Sequence, residues 1–165
     1  MLPVVVDINI LVGAVTGAMN PFHSWPSPPP VRGSPSANVI GILNDAREFS
    51  LFLSEHVLAN TVRVLVGTPP VGFGWEIERV EAYLALLVDI ADASGGGVVE
   101  PAVTVTDCDD FEDNRILECA LACGTVMIVS DDDDLLRLSP WRGCVIVTAA
   151  EFVGRTDAMR RAGRQ

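Results

Sequence analysis

The stretch VMIVSDDDDLL, residues 126–136, sets a short apolar run directly before four consecutive aspartates. A second stretch, LPVVVD, residues 2–7, has the same order, with a β-branched apolar run followed by Asp7. Short continuous apolar runs are typical of strands buried in a parallel sheet. Because ligands bind outside the carboxyl ends of such strands, the acids that follow them predict a site at that edge of the sheet.

Helical and extended patterns alternate along the rest of the chain. Apolar residues recur at helical spacing over 75–92, and Ser54 is a suitable N-cap for the helix that follows it. Strands that alternate with helices indicate an α/β fold with a parallel sheet covered on both faces. The predicted strands are residues 2–6, 49–53, 98–99, 126–129 and 145–147, and the other predicted helices are 8–18, 38–47, 113–123 and a short one near residue 150.

The length of 165 residues corresponds to one domain. We assign residues 1–154 to this domain and residues 155–165 to an arginine-rich C-terminal tail. Residues 21–35 contain six of the eleven prolines, and proline lacks the N–H that helices and sheets use, so we interpret about residues 20–37 as a loop insertion. No apolar run is long enough to span a membrane and no basic segment precedes the first one, so a cytoplasmic protein is expected.

The chain contains no lysine, since all eleven basic residues are arginines. P-loop NTPases need a lysine that reaches the phosphates, and Schiff-base enzymes need a lysine amine. Both classes are therefore excluded. The same absence argues against haloacid-dehalogenase-like phosphatases and response-regulator receivers, whose aspartate-centred sites also use a lysine.

The net charge of −11 comes mostly from one segment. Residues 107–134 contain ten acids and a single arginine, whereas the rest of the chain is nearly balanced. Crowded carboxylates resist ionising together unless a cation neutralises them, and hard oxygen ligands favour Mg²⁺ or Mn²⁺. The pattern predicts a divalent metal site and metal-assisted phosphodiester hydrolysis. Asp113 and the 131–134 run also suit a purely local role, as acids that start helices at a solvated turn.

Taken in order, five blocks of the sequence resemble the PIN domain, and most of all its branch of toxins from toxin–antitoxin modules. The resemblance implies a Rossmann-like, three-layer α/β/α fold with a central parallel sheet. It also implies a ribonuclease that cuts RNA with Mg²⁺ or Mn²⁺, leaves 5′-phosphate and 3′-hydroxyl ends, is restrained by an antitoxin protein and commonly forms a homodimer. The blocks are VVVDINILVGA (4–14), SEHVLANTVRVL (54–65), DCDDFEDNRILECALACG (107–124), MIVSDDDDLLRL (127–138) and VIVTAAEF (145–152).

The resemblance assigns site residues one by one. Asp7, Asp113 and Asp132 match catalytic, metal-holding acids of the family, and Asp134 completes the metal-binding set. Asn9 and Ser130 match polar positions that help to hold ligands or water. The candidates for contacts with RNA phosphates are arginines from the C-terminal part of the chain: Arg142, Arg155, Arg160 and Arg161. The alternative for the tail is a disordered, solvated end.

One position departs from the family pattern. The family's second acid, a Glu six residues after the Ser that starts its helix, falls on Asn60. Asn60 can offer a carbonyl oxygen to a metal, but it adds no charge and cannot act as a base. Glu55 is five residues earlier, about 140° around the helix, and is no simple substitute. Compensation by Glu112 or Glu118 stays open, as do weaker metal binding, a single ion and an inactive site.

Two other functions stay open on the sequence. The first is a catalytically weak or inactive PIN fold that binds a protein or RNA partner, for which Asn60 and the Pro-, Trp- and Phe-containing segment 21–35 argue. The second is a structural Ca²⁺ or Mg²⁺ site without chemistry. That reading leaves unexplained why the distant Asp7 ends a strand where the other acids converge. RNA cutting that depends on a metal would separate the enzyme from both.

Overall fold

The computed structural model describes residues 1–17 and 33–164. Within this part of the chain, one sheet contains β1 (Leu2–Val6), β2 (Phe49–Ser54), β3 (Gly97–Val99), β4 (Met127–Val129) and β5 (Val145–Val147). Every neighbouring pair of strands is parallel, and the order is β3-β2-β1-β4-β5. The predicted α/β fold with a parallel sheet is confirmed.

Helices follow the strands along the chain. The helices predicted over 75–92 and 113–123 are present, with ends that differ by no more than two residues. Ser54 is the N-cap predicted for its helix, and its Oγ accepts the backbone N–H of Val57 at 3.2 Å. The helices of the described residues are α1 (Ile8–Thr16), α2 (Pro35–Asn44), α3 (Glu55–Val66), α4 (Ile77–Ala93), α5 (Phe111–Cys123), α6 (Asp133–Leu136) and α7 (Ala149–Ala162).

The central strand β1 is buried on both faces. Val4, Val5 and Val6 are at most 1% exposed, although successive side chains of a strand point to opposite faces of the sheet. Both faces are therefore covered, as the three-layer α/β/α arrangement requires. On one side the buried hydroxyl of Tyr83 in α4 donates to the carbonyl of Leu11 in α1 at 2.7 Å. This bond satisfies a buried polar group and fixes the two helices to each other.

Helix α2 begins earlier than predicted. It starts at Pro35, with Ser34 as the N-cap whose Oγ accepts the N–H of Ala37 at 3.2 Å, whereas the sequence indicated 38–47. Proline is tolerated in the first turn because its missing N–H would have no helical partner there. The loop insertion predicted for about residues 20–37 therefore ends before α2. Its residues 20–32 lie outside the described residues.

Residues 155–162, which the sequence assigned to a C-terminal tail, instead continue helix α7. The helix begins with a capping box between Thr148 and Glu151. Phe152 and Thr156 face the core, and the ring of Phe152 lies 4.7 Å from that of Phe49 between centroids. The prediction failed because the buried face of α7 is narrow and the rest of the helix is polar, so the apolar pattern that marks a helix is weak.

The four cysteines are free thiols. Cys119 and Cys144 are buried, and burial raises the pKa of Cys119 to about 12. Thiols in such surroundings pack as small apolar groups. Over residues 1–17 and 33–164, no helix is long and apolar enough to cross a bilayer.

The carboxyl ends of β1 and β4 lie side by side. Val6 pairs with Val129, and the N–H of Asp7 donates to the carbonyl of Val129 at 2.9 Å. The strand order reverses at this point: the chain continues from β1 to β2 and β3 on one side, and β4 and β5 lie on the other side of β1. Such a switch point in an open α/β sheet is where ligands bind, and the first residues beyond both strands are Asp7 and Ser130.

Candidate active site

Asp7 is the most deeply buried acid of the site. It is the N-cap of α1, and its Oδ1 accepts the backbone N–H of Ile8 at 2.6 Å. Its Oδ2 accepts the hydroxyl of Ser130 at 2.5 Å. Burial, and after it the nearby carboxylates of Asp132 and Asp131, raise the pKa of Asp7 to about 6 in spite of these two hydrogen bonds.

Ser130 connects two of the predicted acids. Its side chain is fully buried, and the Oγ that donates to Asp7 also accepts the backbone N–H of Asp132 at 3.0 Å. One hydroxyl therefore orients the Asp7 carboxylate and fixes the start of the acidic run after β4. The sequence assigned Ser130 a supporting polar role, and the structure places it between these two acids.

Asp113 is the third residue of α5. The N-cap of this helix is Asp110, whose Oδ1 accepts the N–H groups of Glu112 at 2.7 Å and Asp113 at 3.3 Å. Asp113 is therefore not the capping residue of α5, and its own side chain faces the cavity described below. Burial, and then the charges of Asp132 and Asp7, raise the pKa of Asp113 to about 7.

Asp132 and Asp134 lie at the start of α6. Asp132 is the N-cap, and its Oδ1 accepts the N–H of Asp134 at 2.8 Å. The exposed carboxylate of Asp134 pairs with Arg137. One carboxylate oxygen from each of Asp113, Asp132 and Asp134 lies within 4.8 Å of the other two. The local capping role expected for this run thus coexists with a place in the acidic cluster.

The acids of this site fit a hard divalent cation. The donors are carboxylate oxygens, which Mg²⁺ and Mn²⁺ prefer. Asp7 and Asp113 are buried beside other carboxylates, of which Asp132 is one for both, and these surroundings raise the pKa of each. A cation would relieve the repulsion between these carboxylates. The cluster of Asp113, Asp132 and Asp134, with Asp7 beside it, is therefore a candidate metal centre.

A cavity of about 510 Å³ opens over the acids. Asp7, Asp113 and Asp132 line it together, and the exposed Phe73 lines it too. Asn9, which the sequence assigned a supporting role, is exposed on α1 and also lines the cavity. The predicted acids, except Asp134 at the rim of the cluster, therefore share one solvent-accessible space.

Asn60 also lines the cavity and joins charged side chains of α3 and α5. Its Nδ2 donates to Oε2 of Glu112 at 2.9 Å. Its Oδ1 accepts Nε–H and Nη2–H of Arg63 at 2.8 and 2.5 Å. His56 Nε2 lies 2.7 Å from the same Glu112 oxygen. The carbonyl oxygen that Asn60 was expected to offer to a metal is therefore used by Arg63.

The sequence pattern of the PIN domain matches residues 3–134, which is most of the chain and includes every acid of the cluster. The chain belongs to the PIN domain family. The match confirms the resemblance noted in the sequence, and PIN domains are a family of nucleases. Comparison with curated proteins gives no match.

In this PIN domain, only one of the two candidates for replacing the missing acid reaches the cavity. Glu112 lines it, beside Asn60. Glu118 is 3% exposed, and its Oε1 accepts the N–H of Val105 at 2.8 Å and pairs with Arg115. Its carboxylate is thus engaged outside the cavity, and compensation by Glu118 was a wrong alternative.

The four arginines predicted to contact RNA lie outside the cavity. Arg142 is exposed and pairs with Asp107 at 3.3 Å, and Arg155 and Arg161 are exposed on α7. RNA contacts by these three stay a prediction. The guanidinium of Arg160 is bound by the carboxylates of Glu48 and Asp45 at 2.8 to 3.0 Å and fixes α7 to the segment before β2, so its predicted contact with RNA would compete with these partners.

Arg63 is the functional candidate that the sequence prediction missed. Among the described residues that line the cavity, it is the sole arginine. Its spacing of three residues from Asn60 places both on one face of α3, so this neighbour could have been found. The bond from Asn60 to Glu112 joins residues 52 positions apart and had no signal in the sequence.

Proposed function

We propose that this PIN domain is a metal-dependent endoribonuclease, a hydrolase of RNA phosphodiester bonds. The observation that carries the proposal is that Asp7, Asp113 and Asp132, from three separate parts of the chain, line one cavity. Two of these carboxyls have strongly raised pKa values. Acids with raised pKa values that the fold brings together in a cleft are typical of functional sites.

Asp7, Asp113, Asp132 and Asp134 would hold Mg²⁺ or Mn²⁺. When bound, such an ion lowers the pKa of water and stabilises negative charge on a phosphate. Ser130 orients the Asp7 carboxylate and holds the backbone of Asp132, so that two acids are positioned before any ligand binds.

We assign to Glu112 the role of the acid that α3 lacks at position 60. Glu112 enters the cavity from α5, and its Oε2 is bound by Asn60 and lies 2.7 Å from His56 Nε2. Within the described chain, no hydrogen bond to Glu112 Oε1 is formed. These contacts orient the carboxylate and leave one oxygen for a ligand, a water molecule or an ion.

The direct test is cleavage of end-labelled RNA by the purified protein with Mg²⁺, Mn²⁺ or EDTA. The control is the double variant Asp7→Asn/Asp113→Asn, in which two carboxylates become isosteric amides. We expect cutting with either metal, none with EDTA or in the variant, and products with 5′-phosphate and 3′-hydroxyl ends. Absence of cutting on several RNAs, while metal binding is measurable by calorimetry, would contradict the proposal.

A role as the toxin of a toxin–antitoxin module rests on the sequence resemblance. An RNA-cutting toxin would act in the cytoplasm, form a complex with an antitoxin protein and commonly be a homodimer. Expression of the chain alone should then slow growth, and expression of Asp7→Asn/Asp113→Asn should not. Growth unaffected by the active protein would contradict the toxin role but leave the nuclease in place.

A binding module without catalysis is the second candidate function. The observation in its favour is that Asn60 contributes no charge and that its carbonyl oxygen is bound by Arg63. Such a module should bind RNA or a protein partner with no cutting in any metal. A purely structural metal site should instead raise Tm on metal addition and show neither binding of RNA nor cutting.

A further inference from the structure

The cavity has an apolar side that the metal chemistry does not use. Val12, Val64 and Phe73 line the cavity, and Phe73 is 45% exposed. Arg63 also lines the cavity, and its bonds to Asn60 connect it to the side chain that contacts Glu112. An exposed aromatic ring in the same cavity as an arginine suits a ligand with an apolar face and a negative charge, and a cation held by the acids would attract that charge as well.

The position of Phe73 is fixed by the backbone that carries it. The chain after α3 folds back on the helix end, and the N–H groups of Phe73, Gly74 and Trp75 donate to carbonyls of Val64, Gly67 and Leu65 at 3.2, 2.8 and 2.9 Å. The fold-back is very close, since a Cβ on Gly72 would lie 2.3 Å from the carbonyl oxygen of Gly67. Phe73 is therefore held at the cavity by a backbone constraint that requires glycine nearby.

Arg63 is oriented as well. Its Nε–H and one Nη2–H are directed to Asn60 Oδ1, which uses two of the five N–H donors of a guanidinium. The remaining donors lie on the Nη side of the group, and Arg63 is exposed to solvent. A planar guanidinium whose remaining donors bind no other described residue matches the geometry of a phosphate.

We propose that this side of the cavity is a subsite for one nucleotide of single-stranded RNA, with its base stacked on Phe73 and its phosphate bound by Arg63. The inference rests on the proposed ribonuclease activity, because the carboxylates make the adjoining phosphate the one to be cut. Stacking on an aromatic ring accepts any base. A base within a duplex is already stacked and paired, so the subsite favours unpaired RNA and tolerates different bases.

The test measures binding in the Asp113→Asn background, which separates binding from cutting. The probe is a single-stranded 12-nucleotide RNA that carries 2-aminopurine, titrated in Mg²⁺ with anisotropy and base fluorescence as readouts. Phe73→Ala should weaken binding roughly 5- to 150-fold, from a stacking contribution of about 1–3 kcal/mol per base, and should abolish quenching of the probe. Phe73→Tyr should retain both.

Two matched control variants change residues that do not line the cavity. Val71→Ala changes an 89% exposed residue of the same loop, and Arg79→Ala removes an exposed arginine of α4 that stacks on Trp75. Neither should change affinity or quenching. Arg63→Ala should weaken binding and reduce the slope of log affinity against log salt by about 1. A duplex of the same sequence should bind more weakly than the single strand.

Equal affinity and quenching in Phe73→Ala and Val71→Ala would overturn the subsite and leave the nuclease proposal untouched. Absence of measurable binding by the single strand would overturn it too, and would direct attention to a protein segment as the occupant. Conversely, Phe73-dependent binding in a protein that never cuts RNA would support the subsite and contradict the proposed activity. The two proposals therefore fail in different experiments.

Discussion

The amide of Asn60 donates a hydrogen bond to Glu112 across the interface between α3 and α5, at 2.9 Å. Arg63 fixes which way the amide points, because Oδ1 must face its N–H donors and Nδ2 is then directed at the carboxylate. A Glu at position 60 would set a second carboxylate at this contact. The amide at position 60 therefore suits the carboxylate of Glu112, whereas the Glu that is usual in the family would place a second negative charge beside it.

Glu112→Gln should lower kcat/KM for RNA cleavage by roughly 10- to 100-fold or more, because the site loses the carboxylate that takes the role of the missing acid at position 60. The amide is isosteric but removes the charge that faces the cavity. Glu55→Gln is the matched control, since Glu55 is an exposed first-turn acid of α3 outside the cavity. Equal kcat/KM in both variants would show that Glu112 has no role in the reaction.

Asn60→Glu, which restores the acid usual in the family, should lower activity instead of raising it. The new carboxylate would lie close to that of Glu112, and two like charges in contact disfavour each other's ionised form. The double variant Asn60→Glu/Glu112→Gln removes this repulsion and should recover activity relative to Asn60→Glu. A double-mutant cycle on kcat/KM measures the coupling, and additive effects would contradict a direct interaction.

The fold and the acidic cluster could be predicted from the sequence because both follow from local patterns. Apolar runs that end in Asp7 and in the 131–134 aspartates are strand ends, and parallel strands bring such ends to one edge. The helix of Asp113 was readable from its apolar spacing. Each of these features is local, or follows from the direction of the strands, and so needs no knowledge of side-chain contacts.

The remaining features depend on contacts that local patterns do not encode. The partners of Asn60 and Arg160 are chosen by packing between distant segments, α3 with α5 and α7 with the turn before β2. Phe73 follows a loop rich in Gly and Pro, where the sequence indicates only a break in the helices. Its place at the cavity results from the fold-back onto α3.

Stability of the metal-free protein should fall as pH rises from 5 to 8. Asp7 and Asp113 have pKa values of about 6 and about 7 in the fold against 3.8 in an unfolded chain. Between these values the folded state binds more protons than the unfolded state, so protonation stabilises the fold and ionisation removes that stabilisation. The lowered pKa of Glu48 acts below this range. Thermal melts in EDTA over pH 5–8 measure the slope.

Asp113→Asn should reduce that slope and raise the free energy of unfolding of the metal-free protein at pH 8. With a gain on the order of 2 kcal/mol, its Tm should exceed that of the wild type by about 4–8 °C. Saturating Mg²⁺ should reverse the order, since it stabilises the wild type by binding to the folded state only. A wild type whose Tm is independent of pH in EDTA would contradict the assigned protonation of these acids.

Arg160→Ala should destabilise the fold and leave RNA affinity unchanged. Its guanidinium forms two charge-assisted hydrogen bonds with Glu48 and a third contact with Asp45, so the free energy of unfolding should fall by about 2 kcal/mol. Arg161→Ala, one residue further on the exposed side of α7, is the comparison and should keep its Tm. A loss of RNA affinity in Arg160→Ala with no change in Tm would reverse the two roles.

Ser130→Ala should weaken metal binding roughly 10- to 100-fold, because one hydroxyl orients Asp7 and holds the N–H of Asp132. Its removal also takes a hydrogen bond from a buried carboxylate, which should raise the pKa of Asp7 further. Calorimetric titration with Mn²⁺ at pH 6 and pH 8 therefore should show a larger deficit at pH 6, where more of the Asp7 carboxyl is protonated. Thr148→Ala, at the N-cap of α7, is a control for the loss of a capping hydroxyl at the adjacent strand end. It should lower Tm without a change in metal affinity, and equal affinity in the two variants would assign Ser130 to folding alone.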